Sequence, residues 1–173
     1  LPSERDLAER LGAGRNPVRE ALATLVTLRM VESRPNSGIY LRHVERESSF
    51  EAMVMLADMG ATPTPTEVAE TMEVRAHLET LSVRLACSRR SDGDLAKLEE
   101  ILDRTDAELA ADGNIASLDT AFHIALVDAT HNSVLVRVLH AFYRFTARRR
   151  ETLFGDRRQA KASAREHRKL AGR

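Results

Sequence analysis

The sequence predicts a mainly α chain, with an N-terminal winged helix-turn-helix followed by an all-helical antiparallel bundle. Three observations predict it. Ala, Leu, Arg and Glu dominate while aromatics make up only 4% and Trp is absent, which favours helix over strand. Apolar residues recur at helical spacing along most of the chain. That period gives way near residues 30–42, where MVESR and GIYLR flank the turn signal PNSG, and weakens again from about 44 to 66. With 173 residues there is room for one large domain or two small ones.

Residues 3–11, SERDLAERL, form the first expected helix. Ser3 is placed to cap it, with Asp6 three residues on, where an acidic side chain reaches back. Leu7 and Leu11 share a face, and Gly12 ends the helix. Asn16 is expected to cap a second helix with Pro17 at its first position, where a missing N–H costs nothing. Val18, Leu22 and Leu25 line its inner face, joined by Ala21 and Leu28. With the hairpin, these elements make a domain over 1–43. Residues 44–66 read as a linker. In it ESSFEAMVMLADMG suits a helix, and GATPTPTE is a loop because Pro63 and Pro65 oppose helix.

The second domain, 67–173, is expected to be helical throughout. Its opening helix carries Val68, Met72, Leu78, Leu81 and Leu85 at a 3.6-residue period. Segments 91–113, 114–130, 132–154 and 157–173 each read as a further helix, with Asn132 as a cap. Both chain ends read as trimmed: Leu1 is not a Met, and the last helix looks cut off.

The net charge is zero, so contact with nucleic acid has to come from a local basic surface. A single cysteine, Cys87, forms no internal disulfide and fits a reducing cytoplasm. No apolar run approaches the roughly 18 residues that span a bilayer, and no signal peptide is visible. The stretch GAGRNP is no phosphate cradle. It follows a helix, not a strand, and matches neither GxGxxG nor GxxxxGK[ST]. A DNA-reading helix explains it better. Arg15 sits just before that helix and Arg19 in its first turn, off the Val18/Leu22 face. Arginine reads guanine bidentately or clamps phosphate. Arg5 lies early in the first helix, and Gly38 in the wing turn allows positive φ. Each arginine alone is equally well a solvated helix face; the capped helix pair and the wing together point to DNA. Glu4 and Glu20 temper the basic patch, so the expected binding is moderate and salt-sensitive.

Residues 1–42 resemble the DNA-binding domain of GntR-type bacterial transcription regulators, through LPSERDLA, then RNPVREAL, then a short hairpin with a wing glycine. The resemblance implies that Arg5, Arg15, Arg19 and Gly38 meet operator DNA. Gly14 and Asn16 stand where Ser and Thr are usual, with Asn16 at a phosphate contact. It also implies a leading helix before Leu1.

LDTAFHIAL places Asp119 and His123 at i, i+4, so both side chains point the same way, and REHRKL carries His167 on the last helix. Groups on facing helices of a bundle can converge on a metal of the Zn, Ni, Fe or Mn class. By spacing alone, a surface pair or a satisfied core histidine explains them as well. Residues 70–170 resemble the FCD effector domain of the FadR subfamily, from MEVRAHLETLSVRLA through D-x-x-x-H to the later histidine. That resemblance implies one divalent metal per subunit, held by Asp119, His123 and His167, with a fourth ligand beyond Arg173. It also implies a small organic acid as effector, for which Arg75 is the candidate fork. An ordinary Arg75–Glu79 pair is the alternative. His77, His131 and His140 read as structural or exposed, and the run ARRR at 147–150 as a solvated helix face.

The expected function is a ligand-responsive regulator, binding duplex operator DNA as a homodimer. The second reading is a metal-dependent hydrolase or lyase using the Asp/His cluster, though no Glu beside the histidines offers a general base. A metal-free dimerisation module is the third.

Overall fold

A computed structural model describes residues 1 to 172, which fall into two compact units divided between Met59 and Gly60. Among the described residues there are nine helices and one two-stranded sheet.

The first unit opens with α1, Glu4–Leu11, capped as expected by the Ser3 hydroxyl, which accepts from the Asp6 N–H at 3.2 Å. Gly12 ends it in the left-handed region, φ 60°. Leu11 is 69% exposed and shares no buried face with Leu7. Helix α2, Arg15–Thr27, starts one residue before the expected cap. Gly14, not Asn16, is the N-cap, and no side chain caps the helix. Pro17 therefore sits at the third helical position, where the N–H still has no intrahelical partner and its loss costs little. Val18 and Leu22 are buried with Ala8, against Leu7 and Ile39. Strands β1, Val31–Arg34, and β2, Gly38–Leu41, pair antiparallel from Val31↔Leu41 to Arg34↔Gly38.

The stretch 44–66, read above as a linker, carries two helices. These are α3, Val44–Glu47, and α4, Phe50–Asp58, the latter capped by Ser49. The Ser49 N–H donates to Leu28 O at 2.9 Å, which ties this stretch back to the end of α2. Pro65 is not in a loop; it is the first residue of α5, Pro65–Arg89. A missing N–H is free at that position, and Thr64 and Glu67 close a reciprocal capping box around it.

The second unit adds α6, Asp92–Ala110; α7, Ala116–Asp128; α8, Ser133–Leu153; and α9, Arg157–Ala171. Helix α7 packs against α5, α6, α8 and α9. It buries eight of its residues, including Phe122, Leu126 and Val127, because its sequence is apolar nearly all round. Asn132 caps α8 as expected, its Oδ1 accepting from the N–H groups of Val134 and Leu135. The inner face of α5 differs from the apolar period. Met72 and Leu81 are 43% and 44% exposed, while Arg75, Glu79, Ser82 and Ala86 turn inward. Leu78 and Leu85 pack against the core as expected, so the stripe facing inward is part apolar and part polar, and the apolar period marks only half of it.

Candidate nucleic-acid interface and metal centre

In the first unit the expected DNA-facing residues are exposed. Arg15 and Arg19 lie one turn apart on α2, so they share a face beside the buried Val18 and Leu22. Arg19 Nε reaches Glu4 Oε2 at 3.3 Å, a surface pair that links α2 to α1. Arg5 contacts only Asp6 among charged groups of the described residues, at 3.7 Å. Because Gly14 offers no side-chain cap and the first turn holds no acid, the opening amides of α2 stay open to an anion. Asn16 lies in that turn, exposed. Gly38, at φ 114°, takes a backbone shape that L side chains rarely adopt, with open space where a Cβ would stand. The wing turn also places Asn36 in the left-handed region, φ 58°. Arg34 leaves β1 beside the turn with its guanidinium 4.5 Å from the Tyr40 ring centroid. No reading of the sequence selected Arg34.

In the second unit Asp119, His123 and His167 converge, each offering a ligand atom within 4.8 Å of the others, and all three are buried. Helix α7 supplies the i, i+4 pair, and α9 brings His167 across to it. His167 Nε2 lies 3.5 Å from Asp119 Oδ1, and His123 Nε2 lies 3.9 Å from Oδ2. The Ser163 hydroxyl donates to Oδ1 at 2.6 Å. Phe122 stacks on His167 at 4.0 Å between centroids and fixes its ring plane.

Arg75 belongs to this cluster and is also paired along its own helix. Its Nε donates to Glu79 Oε1 at 2.8 Å, and its Nη2 lies 3.0 Å from His123 Nε2. A guanidinium only donates, so Nε2 accepts and the ring proton sits on Nδ1. Nδ1 faces Glu79 Oε1 at 3.1 Å, close but not aligned as a hydrogen bond. The Tyr143 hydroxyl donates to the same Glu79 oxygen. A histidine whose Nδ1 faces a carboxylate while its Nε2 stays an acceptor, here met by Arg75, is the form that binds metals.

The run ARRR hides a site residue. Arg148 and Arg149 are exposed, but Arg150 is 5% exposed and pairs with Asp119 Oδ2. The expectation of a solvated face fails for it because α8 turns Leu135, Leu139, Phe142 and Tyr143 inward, and Arg150 continues that row two turns on. Its guanidinium lies 4.6 Å from the Tyr143 ring centroid.

Burial sets the electrostatics. The pKa of His123 falls to about 3 through desolvation and then the nearby Arg75 charge. His167 also falls to about 3, through desolvation, His123 and Arg150. Both imidazoles are therefore neutral at physiological pH, as metal ligands must be. Desolvation, then Arg75, lowers Arg150 to about 9. Burial and the Glu79 charge hold the Tyr143 phenol protonated. The donor set fits a divalent metal: two neutral imidazoles and a carboxylate, with Asp119 Oδ2 and His123 Nδ1 buried without an aligned hydrogen bond. Two surface clefts of this unit lie elsewhere, one by Leu109, Asn114 and Phe154, the other by Asp106, Arg165 and Arg168.

Residues 1–41 match the family described as bacterial regulatory proteins, gntR family, and residues 70–172 match the FCD domain. The chain belongs to the gntR family. Among gntR relatives it is 34% identical over 140 residues to the Uxu operon transcriptional regulator of Escherichia coli, covering 80% of this chain and 52% of that protein. It is 31% identical over 141 residues to the HTH-type transcriptional regulator LutR of Bacillus subtilis, covering 81% and 62%. This chain thus spans little more than half the length of the relatives it matches. The solved structure of E. coli McbR/YncC is 19% identical, with a TM-score of 0.50, covering 98% of this chain and 82% of that one, and shares the fold. The hydrolase or lyase alternative finds no support, since the gntR relatives are transcriptional regulators by name. Within this gntR chain, sequence reasoning named Glu79 only as a partner of Arg75, a pair that forms, and missed Tyr143, Arg150 and Ser163. The heptad-like row on α8 is the signal that could have found Tyr143 and Arg150.

Proposed function

We propose that this protein is a ligand-responsive transcription regulator that binds operator DNA through its winged unit and senses a small carboxylic acid in its helical unit. The observation that carries the reading is the pairing, in one chain, of an exposed Arg15/Arg19 face on an uncapped α2 with a buried Asp119–His123–His167 cluster. Arg15 and Arg19 reach base edges in the major groove, the α2 amides and Asn16 meet phosphate, and Arg5 and the Gly38 wing hold the flanking backbone. A homodimer on a pseudo-palindromic site is the matching geometry. The working location is the cytoplasm; among the described residues no helix is long and apolar enough to cross a membrane.

In the helical unit, Asp119, His123 and His167 would hold one divalent metal, which supplies a Lewis-acidic position for an oxygen of the effector. Glu79 orients the His123 ring, and Phe122 orients that of His167. Arg75 provides a cationic fork for the effector's carboxylate. Effector binding biases the bundle between arrangements and so changes the freedom of the two winged units of a dimer. By linkage, DNA then changes effector affinity by the same factor.

The test is selection of a binding site from random duplexes by the full-length protein, repeated with zinc and with L-lactate or succinate. The expected result is a two-fold-symmetric site whose affinity shifts with acid. His123→Ala should bind less zinc and lose the acid response at unchanged basal DNA affinity. Recovery of no preferred sequence would refute the reading.

A further inference from the structure

The atoms that a metal would need are already engaged by the protein's own cations. Arg150 pairs with Asp119 Oδ2, and Arg75 Nη2 lies 3.0 Å from His123 Nε2. Those two ligand atoms are 3.9 Å apart and face each other. Two guanidinium groups therefore stand against the donors that one divalent cation would take. The arrangement has a plain physical reason. A carboxylate as buried as Asp119, 1% exposed, needs a cation beside it.

The two arginines differ in what else holds them. Arg75 keeps Glu79 through its Nε whatever happens at His123. Arg150 has no such second anchor. Its Nε and Nη2 are buried without an aligned hydrogen bond; beyond Asp119 it meets the face of Tyr143 and, at longer range, the charge of Glu79. A buried guanidinium with one ion-paired carboxylate, and no aligned hydrogen bond from its Nε or Nη2, is ready to exchange that carboxylate for another.

We propose that Arg150 is the resident counter-ion of the metal-free pocket, that it yields Asp119 when a divalent metal takes that carboxylate, and that it then binds the carboxylate of an incoming small acid. The inference rests on the reading of Asp119, His123 and His167 as metal ligands. Two consequences distinguish it from a merely structural ion pair. Arg150 competes with the metal, so its removal tightens metal binding. The metal in turn creates the anion site, so acid binds the metal-loaded chain more tightly than the metal-free one, and the coupling is reciprocal.

The experiment uses the full chain stripped of metal, in four forms: natural, Arg150→Met, Arg150→Lys and His123→Ala. Zinc is titrated against a chromophoric indicator, melting is followed with and without zinc, and L-lactate is titrated into each form. Arg150→Met should bind zinc at least tenfold tighter than the natural chain and melt lower without zinc, with zinc restoring the loss. Lactate should bind the zinc-loaded natural chain at least tenfold tighter than the metal-free one, and Arg150→Met should lose that gain. Arg150→Lys keeps a cation without the fork, so it should keep near-natural zinc affinity with weakened lactate binding, which serves if Arg150→Met does not fold. Stoichiometric zinc binding that is unchanged or weaker in Arg150→Met, or lactate binding independent of zinc in the natural chain, overturns the exchange and leaves the ligand assignment standing. Zinc uptake that His123→Ala leaves intact overturns both.

Discussion

At the residue scale, Asp119 carries the densest set of obligations in the chain. Its carboxylate accepts from Ser163, pairs with Arg150 and faces His123 and His167, while almost no water reaches it. Asp119→Ala leaves the Arg150 guanidinium buried and uncompensated, a change that typically costs about 3–5 kcal/mol. Denaturant unfolding of the metal-free protein should show a loss of that size; a loss below about 1 kcal/mol would mean that the pair is not closed in solution. The contrast is Arg19. Its pair with Glu4 is on the surface, with 66% of the Arg19 side chain exposed, and pairs of that kind contribute at most about 1 kcal/mol. Circular dichroism of Arg19→Ala should therefore show an unchanged fold and a melting temperature near that of the natural chain. That Asp119 and His123 share a face was legible because side chains four apart on a helix point the same way, while His167 and Arg75 were brought to them by the resemblance to the FCD domain. Arg150 and Ser163 were not legible, because their burial depends on how α8 and α9 pack, which spacing within one helix does not contain.

At the element scale, helix starts decide much of the local stability. Thr64 and Glu67 satisfy two backbone donors reciprocally at the head of α5. Thr64→Ala should cost about 1 kcal/mol, read by thermal or denaturant unfolding. An indifferent protein would show that the first turn of α5 frays without consequence. Helix α6 is capped likewise by Ser91 and Asp94. The Ser91 backbone N–H, its hydroxyl and then His131 hold the Asp94 carboxyl below its ordinary value of 3.8. Because the folded value is the lower one, this contribution is present at neutral pH and is lost as pH falls through the folded value. Helix α2 is the exception, with Gly14 as a bare cap. Gly14→Ser places a hydroxyl at φ −67°, ψ 155°, where the nearest atom to a new Cβ is Pro17 Cδ at 3.4 Å. It should stabilise the winged unit by a few tenths of a kcal/mol. A loss of stability in that variant would contradict the open-cap geometry. Helix existence and order were legible from period and caps. Helix α2 began one residue before the expected cap because glycine takes the cap geometry without a side-chain signal. The α5 face was read only in part: Leu78 and Leu85 pack inward, but Met72 and Leu81 do not, because Arg75, Glu79 and Ser82 fill the rest of the inward stripe.

At the scale of the whole molecule, the reading joins a DNA-facing unit to a sensing one, each compact by itself. The order helix, turn, helix, hairpin, then helices only, was plain in the sequence because the apolar period changes where the architecture changes. In the 44–66 stretch α4 falls where ESSFEAMVMLADMG suited a helix, whereas α3, a single turn, carries too few residues for a period to show. If the two units act as reader and sensor, specificity for DNA must reside in the α2 arginines and not in bulk charge, which is zero. The most direct measurement compares the natural protein with Arg19→Ala on its selected operator and on an unrelated duplex of equal length, by mobility shift at fixed salt. The account predicts that the natural protein discriminates strongly and that Arg19→Ala binds both duplexes with the same weak affinity. An Arg19→Ala protein that keeps the natural ratio between the two duplexes would contradict it.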